Sequence, residues 1–197
     1  RYDVTVTGEA NHAGSTAMAD RKDALVAAAG FINKVPEIVK EYGNEFTVAT
    51  VGTIKVTPHS VNVIPGTCTF SLEIRDQSAE VMKLIENHLR QLLEDICEKY
   101  GVTATFVPTS YHDPAPMSEL VRGTIEDAVK ELGIDYTVIP SGAFHDSLIM
   151  TSVFPTGMIF VPSKDGISHS RYEYTAPEDI ENGCNVLLNT VLKLDEK

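Results

Sequence analysis

The chain has 197 residues, 43% of them apolar and 22% charged, with a formal charge of −12 at pH 7. That mixture belongs to a folded globular protein rather than a disordered one, and the length lies between one and two domains. The acidic balance offers no basic footprint for nucleic acid, and no apolar run is long enough to cross a bilayer. The expected partners therefore include neither nucleic acid nor membrane, and the expected location is the cytoplasm.

Asp3 to Thr7 alternates polar and apolar residues, as a half-buried strand does. From Arg21 to Tyr42, Leu25, Ala28, Ala29, Ile32, Val35 and Val39 recur at helical spacing, with Pro36 expected to kink or divide the helix. Phe46 to Val56 reads as a strand. A turn with Pro58 leads to another, Thr67 to Arg75, where Thr69, Ser71 and Glu73 alternate with Phe70, Leu72 and Ile74. Ser78 is placed to cap a helix whose Leu84, Ile85, Leu89, Leu92, Leu93 and Ile96 form a wide apolar stripe ending at Gly101. A fourth strand follows in VTATFVPTSY. This β-α-β-β-α-β order is that of a ferredoxin-like, split-βαβ domain, with two helices on one face of an antiparallel sheet. Its other face, or an edge, must be wet or find a partner.

HDPAPMS, His112 to Ser118, reads as a connector. Beyond it the pattern predicts a helix over Ser118 to Leu132, a short strand over Tyr136 to Ile139, a short apolar segment, a strand in TGMIFV, and a last helix with Ile180, Val186, Leu187, Val191 and Leu194. This α-β-α-β-α run resembles the second part of an α/β layer. Two short strands and three helices cannot surround a sizeable core, so the rest of the sheet is expected outside this chain. Arg1, running directly into a strand pattern, likewise suggests a fragment or a processed product. The expected division is residues 1–116 and 117–197.

Six histidines are present, none paired at i, i+4, and HExxH, GxSxG, P-loop and GxGxxG patterns are absent. Cys68, Cys97 and Cys184 are odd in number and widely spaced, so they read as buried thiols in a reducing compartment. His12 stands out because Ala13, Gly14 and Ser15 cannot cover it, which suits an imidazole that serves a substrate. His169, in the polar loop DGISHSRYEYT, is either a solvated residue or a ligand at the carboxyl end of a strand. His145 shares that kind of location, while its neighbour Asp146 reads better as a helix cap. Asn62 either shapes the turn before Pro65 and Gly66 or reaches a ligand. Arg75 either grips a carboxylate with its fork or snorkels at the sheet end. His59, His88 and His112 read as structural or solvated. A catalytic metal needs about three protein ligands, and no local cluster supplies them, so any such site is assembled across the fold or completed from outside.

Taken together, GEANHAGSTAM with DRKDAL, VNVIPG with SLEIRD, SGAFHD and DGISHSRYEYT closely resemble the M20-type metalloamidohydrolases. The resemblance is to the branch of N-carbamoyl-L-amino-acid hydrolases, allantoate amidohydrolases and ureidopropionases, and it spans almost the whole chain. It implies a ferredoxin-like lid that also forms a homodimer, inserted in a discontinuous α/β catalytic domain of which residues 117–197 are the second part. It implies a small ureido or amide substrate, cleaved by water activated on two divalent ions (zinc, manganese, cobalt or nickel), with most ligands outside this sequence. His169 resembles the metal ligand from the C-terminal region, and His12 the lid histidine that stabilises the oxyanion. Asn62 and Arg75 resemble the residues that hold the substrate's carboxylate, and His145 a further active-site histidine. Ala17 and Phe144 depart from the family pattern, the latter beside the pocket.

An extended Thr67 to Arg75 spans about 27 Å at roughly 3.4 Å per residue. Asn62 and Arg75 of one chain are thus not expected on one small ligand, whereas a two-fold dimer pairs Arg75 of one subunit with His12 and Asn62 of its mate. Two other readings stand beside this: an M20 aminoacylase or peptidase, and a non-catalytic dimerisation module.

Overall fold

Alternation builds the first part of the chain. In the computed structural model, β1 (Tyr2–Thr7) buries Tyr2, Val4 and Val6, and β3 (Thr67–Arg75) buries Cys68, Phe70, Leu72 and Ile74. The two strands are antiparallel with Tyr2 opposite Leu72, Val4 opposite Phe70 and Val6 opposite Cys68, so both buried sets share one face. With β2 (Val48–Thr57) and β4 (Thr103–Pro108) the sheet is antiparallel throughout, in the order β2-β3-β1-β4.

Two helices cover the buried face. α1 (Ala24–Tyr42) contributes Ala24, Ala27, Ala28, Phe31 and Val35, and α2 (Ala79–Tyr100) contributes Ile85, Leu89, Leu93 and Ile96. Both touch the sheet and each other. Phe31 and Phe70 meet at 5.5 Å between ring centroids, and burying each such side chain stabilises by roughly 1.5–3 kcal/mol. α1 starts at Ala24, later than the Arg21 expected, because the Asp23 side chain accepts from Leu25 N–H and Val26 N–H. Pro36 does not divide it. Ser78 caps α2 by accepting from Val81 N–H, and Gly101 closes it with φ 62°. The His88 ring of α2 stacks on Tyr42 of α1 at 3.6 Å, a structural role. The other face of the sheet is polar, with Thr5 and Thr69 hydroxyls 3.1 Å apart.

The structure describes residues 1–196, which divide into two units, Arg1–Pro114 and the chain from Ala115 onward. In the second unit α3 (Glu119–Glu131), capped by Ser118, packs on α5 (Pro177–Asp195). A Lys193–Glu131 ion pair at 2.6 Å adds to that contact. The strands expected over Tyr136 to Ile139 and in TGMIFV do not form. A strand needs a neighbour to satisfy its backbone, and no described residue of this unit offers one. The TGMIFV segment instead lies against the helices, so closely that a Cβ on Gly157 would come 2.6 Å from Val121 Cγ1 and one on Gly183 would come 2.5 Å from Val161 Cγ1. Of the three thiols, Cys68 is buried as expected, but Cys97 is half-buried and Cys184, on α5, is exposed. No helix among the described residues is long and apolar enough to cross a membrane.

Candidate functional site

β1 ends opposite the start of β3, Thr7 against Thr67. The chain leaving β1 and the chain arriving at β3 therefore run side by side beyond the sheet. Gly8 N–H donates to Gly66 O at 2.8 Å, Ile64 N–H to Asn11 O at 2.7 Å, and Ala13 N–H to Asn62 O at 2.9 Å, with His12 and Val63 bridged between them. Gly8 is required at the exit, because a Cβ there would lie 1.9 Å from Lys22 O. Register thus brings His12 and Asn62 together at one end of the sheet.

The His12 ring is exposed, and its orientation is fixed from its own loop. Gly14 N–H donates to Nδ1 at 3.0 Å, and a Cβ at Gly14 would come within 3.2 Å of the ring's Cε1. With Nδ1 accepting, the neutral imidazole carries its proton on Nε2, which is then a donor. Asn11 Oδ1 accepts the His12 N–H at 2.8 Å. Asn62 Oδ1 accepts from Ser60 Oγ at 2.7 Å, which occupies the carbonyl end of the amide and keeps its NH2 as donor. Arg21 reaches into the same loop: Nη2 donates to Ala13 O at 2.5 Å and to Thr16 O at 3.1 Å, and Nε donates to Thr16 O at 3.2 Å. Sequence spacing gives no sign of this residue, since its partners are main-chain carbonyls.

Arg75 lies at the far end of β3, opposite Val48. The eight steps from Thr67 cover about 27 Å, and Asn62 is farther still, so the two are not brought together within this chain. Arg75 is half-buried and its Nη2 donates to Glu73 Oε2 at 3.0 Å, while Glu73 Oε1 accepts from Arg1 Nε at 2.6 Å. Burial pushes the Glu73 carboxyl up, but the hydrogen bonds from Arg1 and Arg75 outweigh it and hold the group below the usual carboxylate range.

In the second unit, His145 is exposed and its Nδ1 accepts from Ser147 N–H at 3.1 Å. The imidazole therefore caps the short helix α4 (Ser147–Met150), and Asp146, expected in that role, makes no capping bond because its own backbone is already helical. His169 is exposed, with φ 56°, a conformation uncommon for any residue but glycine. Its N–H donates to Glu173 Oε2 at 2.8 Å, which braces the turn. Nearby in sequence, Lys164, Asp165, Ile167, Tyr172 and Tyr174 line an open depression. Among the described residues no three His, Cys, Asp or Glu side chains converge. The described residues do not by themselves make a cage for divalent ions.

A ferredoxin-like element order, an exposed imidazole set as a donor, and an arginine at a sheet end are features a hydrolase can use. Comparison with known proteins identifies the group. The chain belongs to peptidase family M20/M25/M40, whose family profile matches residues 4–193. It is 39% identical over 190 residues to an N-carbamoyl-L-amino acid amidohydrolase of Geobacillus stearothermophilus, covering 96% of this chain and 46% of that protein. An allantoate amidohydrolase of Bacillus subtilis is 36% identical, covering 98% and 47%. Among solved structures, an amidase of the hydantoinase/carbamoylase family from Burkholderia multivorans superposes with a TM-score of 0.88 at 36% identity, covering 98% of this chain and 46% of that one. The chain thus spans about half the length of the relatives it matches.

Proposed function

We propose that this chain belongs to an enzyme that hydrolyses a linear C–N bond in a ureido compound, an N-carbamoyl-L-amino acid or an allantoate-like substrate. The observation that carries the reading is the fixed His12 imidazole, with Gly14 N–H on Nδ1 and Nε2 left to donate. As the ureido carbon becomes tetrahedral its oxygen gains negative charge, and the Nε2 proton hydrogen-bonds that oxygen. A donor of this kind lowers the barrier by roughly 2.7–4 kcal/mol. Arg75, with the Asn62 amide, holds the substrate's carboxylate, the match for which a guanidinium fork is suited. His145 is assigned a further substrate-binding role in this reading.

His169 would supply one ligand to a pair of divalent ions that activate water when bound, with the remaining ligands coming from groups outside these 197 residues. Residues 1–116 act as lid and dimerisation domain, and residues 117–197 as part of the catalytic domain. In the homodimer each pocket takes His12 and Asn62 from one subunit and Arg75 from its mate, which the span of β3 favours. A cytoplasmic setting fits the free cysteines.

Mixed dimers test this. In the enzyme completed by its remaining ligands, His12→Ala lowers kcat by about 10²–10³-fold, and Arg75→Ala raises KM. Mixing the two variants restores about a quarter of native activity, because half the dimers are mixed and each of those holds one intact pocket. No recovery on mixing confines the site to one subunit, and an unchanged kcat in His12→Ala removes the oxyanion role.

A further inference from the structure

Between His12 and Arg21 the loop is a series of turns with one short 3-10 helix, Met18–Asp20. Ser15 and Thr16 N–H groups turn back onto His12 O at 3.3 and 3.2 Å, and Thr16 Oγ1 donates to the same oxygen at 2.9 Å. One cation reaches into this turn. Arg21 donates to Ala13 O at 2.5 Å, and Ala13 O belongs to the same peptide unit as the Gly14 N–H that donates to His12 Nδ1 at 3.0 Å. A single amide therefore connects guanidinium to imidazole: the charge sits on its oxygen end, and its hydrogen end points at Nδ1.

We infer that Arg21 is a positioning residue for His12, acting through the Ala13–Gly14 peptide. A cation bound to a carbonyl oxygen draws electron density toward it and makes the N–H of that amide a stronger donor, the ordinary polarisation of a hydrogen-bond chain. The stronger donor keeps Nδ1 as acceptor and the proton on Nε2. The same Nη2 also donates to Thr16 O at 3.1 Å, and Nε donates there at 3.2 Å, so the guanidinium ties the two carbonyls together and holds the peptide plane toward the ring. An arginine does both at once because its donors are coplanar and forked, whereas a lysine brings a point charge. Arg21 touches neither substrate nor reacting atoms in this scheme; it sets the group that does. The inference rests on the proposed role of His12 only for its consequence in catalysis.

The test uses the hydrogen bond itself. In the 197-residue chain, labelled with nitrogen-15, an N–H to N hydrogen bond gives a spin coupling between Gly14 N and His12 Nδ1 that needs no substrate or metal to observe. The native chain shows this coupling. Arg21→Met loses it, Arg21→Lys keeps it in weakened form, and both keep the native amide spectrum away from residues 11–22. Should Arg21→Met fail to fold, Arg21→Gln, a neutral donor, serves in its place and shows a reduced coupling. A full-strength coupling in folded Arg21→Met or Arg21→Gln, or none in the native chain, overturns the inference. In the complete enzyme Arg21→Met lowers kcat with little change in KM. If the coupling behaves as stated but His12→Ala leaves kcat intact, the reading of His12 is what has failed, not the relay.

Discussion

Glu86 is 7% exposed on α2, with Lys83 donating to it at 2.9 Å and Arg90 Nε at 2.9 Å. Arg90 also lies over the Phe106 ring at 4.2 Å and donates to Phe106 O at 3.2 Å. Burial alone pushes the Glu86 carboxyl up, but hydrogen bonds from Lys83, Arg90 and Tyr2 outweigh it and hold it below the usual carboxylate range. The Tyr2 hydroxyl is in turn pushed up to about 12, by burial first and then by the Glu86 charge. A carboxyl with a lowered folded value contributes stability above its unfolded value, near about 4.3, and loses it as pH falls through the folded value. Glu86→Gln is therefore expected to unfold about 1–3 kcal/mol more easily at pH 7 and to flatten the acid limb of stability against pH, as urea titrations at several pH values would read. An acid limb unchanged from the native chain would show that the carboxyl does not carry this linkage. Gly14→Ala places a methyl 3.2 Å from the His12 ring, and we expect a shifted Nδ1 resonance with an unfolding midpoint near native; an unmoved resonance would mean the ring has room to spare. His12 was legible in the sequence because its neighbours are too small to hide it. Arg21 was not, since a side chain that binds carbonyl oxygens leaves no spacing rule behind, and the Asp146 cap was misread because a backbone already helical cannot turn its carboxylate onto the helix end.

Among the elements, α1 is continuous through Pro36 although that residue has no N–H to give Ile32 O. Phe31 and Val35, buried against the sheet, hold the helix together across the missing bond. Pro36 itself is exposed, so its ring is no part of the core. Pro36→Ala should then raise stability, by up to about 3 kcal/mol, seen as a higher urea midpoint at an unchanged slope. A lower midpoint would mean the ring's restriction of the unfolded chain outweighs the lost bond. Elements of the first unit could be read from the sequence because their partners are in the same chain: β1 alternates and meets β3, β3 alternates and meets β1 and β2. Tyr136 to Ile139 and TGMIFV have strand composition but no neighbour among these residues, so composition spoke of a sheet that these residues do not complete.

For the molecule as a whole, the two units differ in how much they enclose. The first has a continuous core from β1 through α2, while the buried residues of the second, among those described, are Thr124, Ala128, Val129, Val186 and Thr190, on α3 and α5. α5 leaves Ile180, Leu187, Leu188, Val191 and Leu192 each at least 50% exposed. Apolar surface of that extent on one helix costs solubility and promotes association. Two measurements follow on the 197-residue chain. It should not turn over ureido substrates with zinc, manganese, cobalt or nickel added, because one candidate ligand, His169, cannot hold an ion in place of about three; measurable turnover by the purified chain would show a site formed within these residues. It should also bind a hydrophobic dye strongly and elute at a mass that rises with concentration. Leu188→Glu with Leu192→Lys should weaken both signals while leaving the unfolding midpoint of the first unit in place, since neither side chain is buried. If dye binding persists at native strength in that double variant, the exposed face of α5 is not where the dye binds.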